Sequence, residues 1–253
     1  MRCIQDHLRR ISVSPDTREH RGPHPSDREF FADEQIPTLR TATTELSWLL
    51  SHGYKLTSSM KLVGDRYRLT ERQRLAVSRS ACSDAALVRR KDHCVSAKHL
   101  SSEDVIIDGF NLIISIEAAL SGAPLFVCRD ECIRDLSGVH GSYRSVQETE
   151  SAISLIGEIC EQLCPASVLW LLDRPISNSG RLARRIADIA ERHGWPWMVE
   201  VVFNPDAQIV SSSSIAITSD SAILDRVETW TNLKSYLVQQ RLNHSWLIDL
   251  RSP

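Results

Sequence analysis

The pattern of hydrophobic and polar positions changes near residue 100. Before it, apolar residues recur at helical spacing, most clearly from Leu39 to Leu50 over about 38–51. Ser26 and Thr70 each precede a Glu or Gln by three residues, the spacing of a capping box that starts a helix. The stretch 26–95 is therefore predicted to be a small all-α domain.

After residue 103 short apolar runs alternate with helical patterns. The predicted strands are 105–107, 124–128, 168–172, 198–203, 215–218 and 246–250. The predicted helices are 110–120, 145–163 (opened by a capping box of Ser145 and Glu148), 179–193, 220–228 and 231–243. Continuous apolar strands separated by helices favour a parallel sheet covered on both faces. We expect a three-layer α/β/α domain over 103–253.

Two segments fall outside these units. Residues 1–25 are rich in charge and interrupted by proline, which predicts a disordered tail. Residues 91–103 are typical of a linker. The composition, 42% hydrophobic and 25% charged, excludes a wholly disordered chain.

The charges are distributed unevenly. Residues 1–100 carry 18 Lys and Arg against 12 Asp and Glu, whereas residues 101–253 carry 12 against 20. One interpretation is that basic residues such as Arg72, Arg74 and Arg79 contact nucleic-acid phosphates. The other is that the basic half docks on the acidic half of the same chain.

Composition also bears on location. No stretch approaches the roughly 18 apolar residues that a membrane span requires, so no membrane partner is expected. The seven cysteines are an odd number, and no secretory signal precedes them. The prediction is a cytoplasmic protein with reduced thiols.

Acidic residues stand where predicted strands end. Asp108, Asp173 and Asp220 follow three of them, and Asp206 precedes the strand at 215–218. Ligands of open parallel sheets bind beyond the carboxyl ends of the strands, and carboxylates gathered there repel one another unless a hard cation such as Mg²⁺ or Mn²⁺ lies among them. The alternative is that each Asp caps the following helix, and Asp220 fits that role well.

Three motifs carry a family resemblance. DGFN at 108–111, PDAQIV at 205–210 and ITSDS at 217–221 resemble the acidic motifs of PIN-like and NYN nucleases. Residues 26–253 resemble an uncharacterised prokaryotic family that joins a small helical domain of unknown function to a PIN-like domain.

The resemblance implies a PIN-like α/β/α fold and Mg²⁺- or Mn²⁺-dependent cleavage of nucleic acid, RNA rather than DNA, with no organic cofactor. By that analogy Asp108, Asp206 and Asp220 hold the metal and Asn111 orients a ligand or water. Asp173 is expected to join Asp108 and Asp220 as a catalytic acid, either at the rim or just behind the metal ligands.

The motifs also depart from the family pattern. Ala222 stands where the second acid of the last motif is expected, and Asp225 lies one turn further on. The segment after the second predicted strand contains three candidates for a further acid of the site: Asp130, Glu131 and Asp135. These departures keep open a non-catalytic regulatory protein that binds nucleic acid or a nucleotide on the same fold.

Two turn segments are candidate phosphate contacts. Arg144 and Ser145, with Arg134 nearby in sequence, precede one predicted helix, and Ser177 and Ser179 precede another. Backbone N–H groups at helix starts attract anions. The alternative is that both segments are ordinary small-residue turns and caps.

Overall fold

The computed structural model describes residues 19–138 and 141–251. The first part contains the helices α1 Asp27–Phe30, α2 Ile36–Ser51, α3 Leu56–Arg66, α4 Glu71–Ser80 and α5 Asp84–Asp92, with a 3-10 turn at Asp33–Gln35. Of the predicted disordered tail at 1–25, residues 1–18 lie outside the described residues. Residues 19–25 are described, and there Arg21 is buried and pairs with Glu117. None of the described helices is long and apolar enough to cross a membrane.

The second part alternates strands and helices. In order, these are β1 Cys94–Val95, a 3-10 helix Ala97–Leu100, β2 Asp104–Asp108, α6 Gly109–Leu120, β3 Leu125–Val127, β4 Ile133–Arg134, α7 Thr149–Leu163, β5 Ser167–Asp173, α8 Ser179–His193, β6 Trp197–Val202, α9 Pro205–Ser211, β7 Ile215–Ile217, α10 Ser221–Leu224, β8 Trp230–Thr231, α11 Leu233–Arg241 and β9 Leu247–Asp249.

The main sheet has six strands in the order β1-β8-β7-β2-β5-β6, and every neighbouring pair is parallel. Along β2 the side chains alternate between the two faces. Val105 and Ile107 pack with α6, α7, α8 and α11, whereas Ile106 packs with Ile209 of α9 and Ile223 of α10. Both faces of the sheet are therefore covered, which confirms the predicted three-layer α/β/α architecture preceded by a helical region.

The predicted helix starts have mixed outcomes. At Thr70 the capping box is confirmed, because its hydroxyl accepts from the Gln73 backbone and the Gln73 side chain accepts from Thr70. At Ser26 the short helix forms without a side-chain cap. The start at Ser145 is wrong: α7 begins at Thr149, whose hydroxyl accepts from the Val146 backbone at 2.9 Å. The predicted start is one turn too early. The hydroxyl that accepts a backbone hydrogen bond at the start of the helix belongs to Thr149 and not to Ser145.

Two other segments differ from the prediction. The strands near 125 and 247 lie in a separate sheet of order β4-β3-β9, in which β3 pairs antiparallel with β4. The predicted linker contains β1, which hydrogen-bonds to β8, and the fully buried Leu100. A strand of two residues is too short to show the alternation of apolar and polar positions that predicts a strand. β1 is therefore defined only by its hydrogen bonds to β8.

The helical region packs directly on the small sheet. Leu39 and Leu46 of α2 share one hydrophobic core with Phe126 of β3 and Ile248 of β9. Phe31 meets Phe126 edge-on, with ring centroids 4.9 Å apart. The helical region therefore docks on the second part of the chain through a shared apolar core.

A buried ion network joins the two parts. Arg90 of α5 donates to Asp130 at 2.6 Å and to Asp225 at 2.7 Å, and Arg134 of β4 binds both oxygens of Asp130 at 2.8 and 2.7 Å. Burial alone would raise the pKa of Asp130, but the two guanidinium groups hold it at about 2. Asp130 is therefore the shared counter-ion for two buried cations.

Asp130→Asn should lower the free energy of unfolding by about 3 kcal/mol, because it leaves Arg134 buried without a carboxylate and removes one of the two carboxylates that Arg90 binds. The neighbouring Glu131→Gln is a matched control. Its pair with Lys91 is half-exposed at 3.3 Å, so the change should cost less than about 1 kcal/mol. Urea denaturation at neutral pH measures both, and equal losses in the two variants would contradict the assignment.

Candidate functional site

A cavity of about 510 Å³ opens at the carboxyl edge of the main sheet. Because β2 lies between β5 and β7 with all three parallel, the residues that follow these strands emerge together. Five acids line this cavity: Asp108, Asp135, Asp173, Asp206 and Asp220. Three cationic side chains line it as well: Arg79, Arg134 and Lys234. All four predicted strand-end acids are thus brought to one cavity.

Asp108 is the last residue of β2, and its Oδ2 accepts from the Thr218 hydroxyl at 2.8 Å. Burial, together with the charges of Asp220 and Asp206, raises the pKa of Asp108 to about 6. The next residue, Gly109, starts α6 against β5. A Cβ there would lie 2.9 Å from the Leu171 carbonyl oxygen, so the glycine of the DGFN motif permits this close approach.

Asp220 caps α10. Its Oδ1 accepts from the backbone N–H groups of Ala222 at 2.7 Å and Ile223 at 3.2 Å, which confirms the capping interpretation. No described residue donates to its other oxygen, Oδ2. The cap therefore uses one side of the carboxylate and leaves the second oxygen for a ligand in the cavity.

Asp173 and Asp206 form the outer part of the acidic wall. Asp173 ends β5, and Asp206 lies in the first turn of α9, a helix that the sequence analysis did not predict. Burial raises the pKa of both carboxyls, with Asp206 adding to the effect on Asp173 and Asp220 adding to that on Asp206. Burial and the neighbouring carboxylates thus disfavour ionisation of Asp173 and Asp206, as they do for Asp108.

The structure resolves the competition among the three acids after β3. Asp135 lines the cavity, with its Oδ1 accepting from the Ser137 backbone at 2.6 Å and its Oδ2 from the Ser115 hydroxyl at 2.5 Å. Asp130 belongs to the buried ion network, and Glu131 pairs with Lys91 outside the cavity. Asp225 pairs with Arg90 and does not line the cavity, so it does not replace the acid absent at Ala222.

Lys234 of α11 is the functional candidate that sequence reasoning missed. It is 3% exposed, and its Nζ donates to Ser219 Oγ at 2.6 Å, Ser115 Oγ at 2.7 Å and Asn111 Oδ1 at 3.1 Å. Burial lowers its pKa to about 8, while Asp135 and Asp108 favour its charge. The sequence contained one signal for this burial. Lys234 lies three residues before Leu237 and four before Val238, and this spacing places it on the apolar face of the helix.

Asn111 lines the cavity beside Lys234, from which its Oδ1 accepts a hydrogen bond. Its Oδ1 also accepts from the Ser219 backbone at 3.0 Å and the Ser219 hydroxyl at 2.9 Å. Asn111 therefore connects α6 to the residue that precedes Asp220. The structure brings it to the predicted site, beside the acids.

The predicted phosphate contacts at the two turns lie elsewhere. Arg144, Ser145, Ser177 and Ser179 do not line the acidic cavity. Arg144 uses its carbonyl to accept from Arg21, and the backbones of Ser142 and Ser177 form an isolated parallel bridge that ties the two turns together. In this structure the turns contact each other, which corresponds to the structural alternative.

Of the three predicted basic contacts, only Arg79 reaches the cavity. Arg72 binds Asp27 through two hydrogen bonds of 2.6 and 2.8 Å, and Asp27 is fully buried. Arg74 binds Asp65 at 2.8 Å. Two of the three charges are therefore engaged within the helical region itself.

Carboxylate oxygens are the donors that Mg²⁺ and Mn²⁺ prefer, so the chemistry of this wall fits a hard divalent cation. Burial and nearby carboxylates raise the pKa values of Asp108, Asp173 and Asp206, and a bound cation would lower them again. Over residues 19–138 and 141–251, however, no group of three or more His, Cys, Asp or Glu side chains has the arrangement of a metal site. The acids share a cavity but their side chains stand apart.

Comparisons with known proteins place the chain in a family. Residues 97–236, more than half of the chain, match the family model "Domain of unknown function (DUF5616)". The chain belongs to the DUF5616 family. Residues 38–93, within the helical region, match "Protein of unknown function (DUF434)".

An uncharacterized protein of Methanocaldococcus jannaschii is 30% identical over 187 residues, which cover 74% of this chain and 89% of that protein. No solved structure matches. The expected pairing of a small helical unit with a second domain in an uncharacterised family is thus confirmed for a DUF5616 protein.

Asp108→Asn should stabilise the protein in a pH-dependent way. Because its folded pKa is raised, wild-type stability falls as pH rises from about 4 through about 6, where the carboxyl ionises in its partly buried position. The amide avoids this cost, so the variant should be more stable by about 2 kcal/mol near pH 8 and show no gain near pH 4. Thermal unfolding of the wild type and the variant at pH 8 and at pH 4, in the presence of a chelator, measures the two differences in stability. An equal gain at the two pH values would contradict the raised pKa.

Proposed function

We propose that this DUF5616 protein is a divalent-metal-dependent phosphodiesterase that cleaves RNA. One observation carries the proposal: four aspartates from four separate elements line one cavity, where burial and neighbouring carboxylates raise the pKa of Asp108, Asp173 and Asp206. A wall of this kind is stable with ionised carboxylates only when a cation balances it. The preference for RNA over DNA, and the PIN-like character of the fold, rest on the resemblance of the three acidic motifs.

In this proposal Asp108, Asp206 and Asp220 hold Mg²⁺ or Mn²⁺, and Asp173 stands at the rim. When bound, the ion supplies charge stabilisation and an activated water at neutral pH. Thr218 holds Asp108 through Oδ2, and the α10 backbone holds Asp220 through Oδ1. These bonds fix the two carboxylates so that their remaining oxygens serve the cavity. No organic cofactor is needed for this reaction.

A second candidate is a protein that binds nucleic acid or a nucleotide without cleaving it. It is favoured by the separation of the acidic side chains and by Ala222, which leaves the last motif one acid short. Such a protein would use the same cavity and the same basic groups. The two candidates differ in whether bound RNA is cut.

Incubation of the purified full chain with end-labelled mixed RNA and Mn²⁺ or Mg²⁺ tests the choice. We expect cleavage that a chelator stops, and Asp108→Asn should reduce it by about 100-fold or more because it removes a ligand charge. Asp188→Asn, an exposed acid on α8, is the matched control and should retain wild-type cleavage.

Calorimetry with Mn²⁺ alone measures metal binding separately. Asp108→Asn should weaken Mn²⁺ binding, whereas Asp188→Asn should leave it unchanged. RNA that binds but stays intact with both metals would favour the second candidate. Mn²⁺ binding that is identical in wild type and Asp108→Asn would remove the proposed metal site.

A further inference from the structure

The cavity presents hydrogen-bond donors beside its acids. We propose that the Asn111 side-chain amide and the Arg79 guanidinium form a subsite for the phosphate oxygens of a nucleic-acid strand, and that Lys234 is the positioning residue that turns the amide toward it. This subsite deepens the proposed function and rests on it for the identity of the strand.

The orientation of Asn111 follows from its partners. Three donors face one atom of its side chain: the Ser219 backbone N–H, the Ser219 hydroxyl and the Lys234 ammonium. A backbone N–H and an ammonium group only donate, so the atom they face is the carbonyl oxygen. No described residue accepts from the amide nitrogen Nδ2. The NH₂ group is thus the part of Asn111 left for a ligand in the cavity, and it binds an anion's oxygen, not a cation.

Lys234 maintains this orientation. Its three hydrogen bonds all go to neutral oxygens, and no described carboxylate forms an ion pair with it. The side chain is almost completely buried, so its ammonium group keeps these three acceptors. The ammonium group is one of the three donors that hold the Asn111 oxygen on this side. Without it, the orientation of the amide would be less strongly held.

Arg79 supplies the charge. It stands in the last turn of α4, and its Nη1 donates to the carbonyl oxygens of Asp135 and Ser137, the second at 3.0 Å. No acceptor among the described residues engages its Nε or Nη2. A guanidinium anchored at one nitrogen keeps the remaining N–H groups for a phosphate, which it can bind through two hydrogen bonds.

The neighbouring groups select the class of ligand. The acids require a cation, and the amide and guanidinium require an anion. A phosphodiester bound together with a divalent cation meets both demands, whereas the cation alone meets only the first. The helical region therefore contributes a binding residue to the cavity of the α/β region through Arg79.

The experiment measures binding of a short fluorescein-labelled single-stranded RNA by anisotropy with Ca²⁺, and checks on a gel that the RNA stays intact. Arg79→Gln and Asn111→Ala should each weaken binding about tenfold, because each removes a donor to a charged oxygen. Arg241→Gln, an exposed arginine outside the cavity, is the control and should bind as wild type does. Thermal unfolding confirms that each variant is folded.

Lys234→Met tests the positioning role. It should weaken RNA binding to the same extent as Asn111→Ala, and the double variant should bind no worse than Asn111→Ala alone, since both act on the same amide. Effects that add in the double variant would overturn that role. Should Lys234→Met fail to fold, Lys234→Gln, which keeps a donor, replaces it in the same cycle.

The outcomes separate this inference from the proposed function. Metal-dependent cleavage with unchanged RNA binding in Arg79→Gln and Asn111→Ala overturns the subsite and leaves the nuclease proposal standing. Binding that depends on both residues without cleavage supports the subsite and removes the nuclease. A wild-type protein that binds no RNA overturns the subsite.

Discussion

Parallel pairing of β2 with β5 on one side and β7 on the other is the constraint on which the rest of the structure depends. Since parallel strands end at the same edge, Asp108, Asp173 and the turn before Asp220 must emerge together. The burial of β2 on both faces fixes this register, because a slip of one residue would exchange Val105 and Ile107 with Ile106 across the sheet. The acidic cavity is thus a consequence of strand pairing.

The cavity also contains cationic side chains beside its acids. Lys234 reaches it from α11 and Arg134 from β4, and both are buried among hydrogen-bond acceptors. Lys234 hydrogen-bonds to Asn111, Ser115 and Ser219, and Arg134 is bound to Asp130 and to the Ser219 carbonyl. These contacts hold both cations in the lining of the cavity, beside the carboxylates.

The helical region is built into this arrangement. It shares an apolar core with the small sheet, and Arg90 ties α5 to Asp130 and Asp225. Through Asp130 the same network holds Arg134, which in turn binds the backbone beside Asp220. A change at the junction of the two regions is therefore connected to the cavity by a short chain of buried ionic contacts.

The sequence by itself determined the alternation of the longer helices and strands, the parallel sheet and the acids at its edge, because apolar periodicity and strand-end position are local signals. It misplaced the start of α7, and it missed α9 and the two-residue strands β1, β4 and β8, because elements this short show no clear periodicity. Only the tertiary structure decided that Asp135 rather than Asp130 faces the cavity, that Arg79 alone of three arginines reaches it, and that Lys234 hydrogen-bonds to Asn111. These features depend on contacts between side chains that are far apart in the sequence. The local pattern of apolar and polar residues does not encode such contacts.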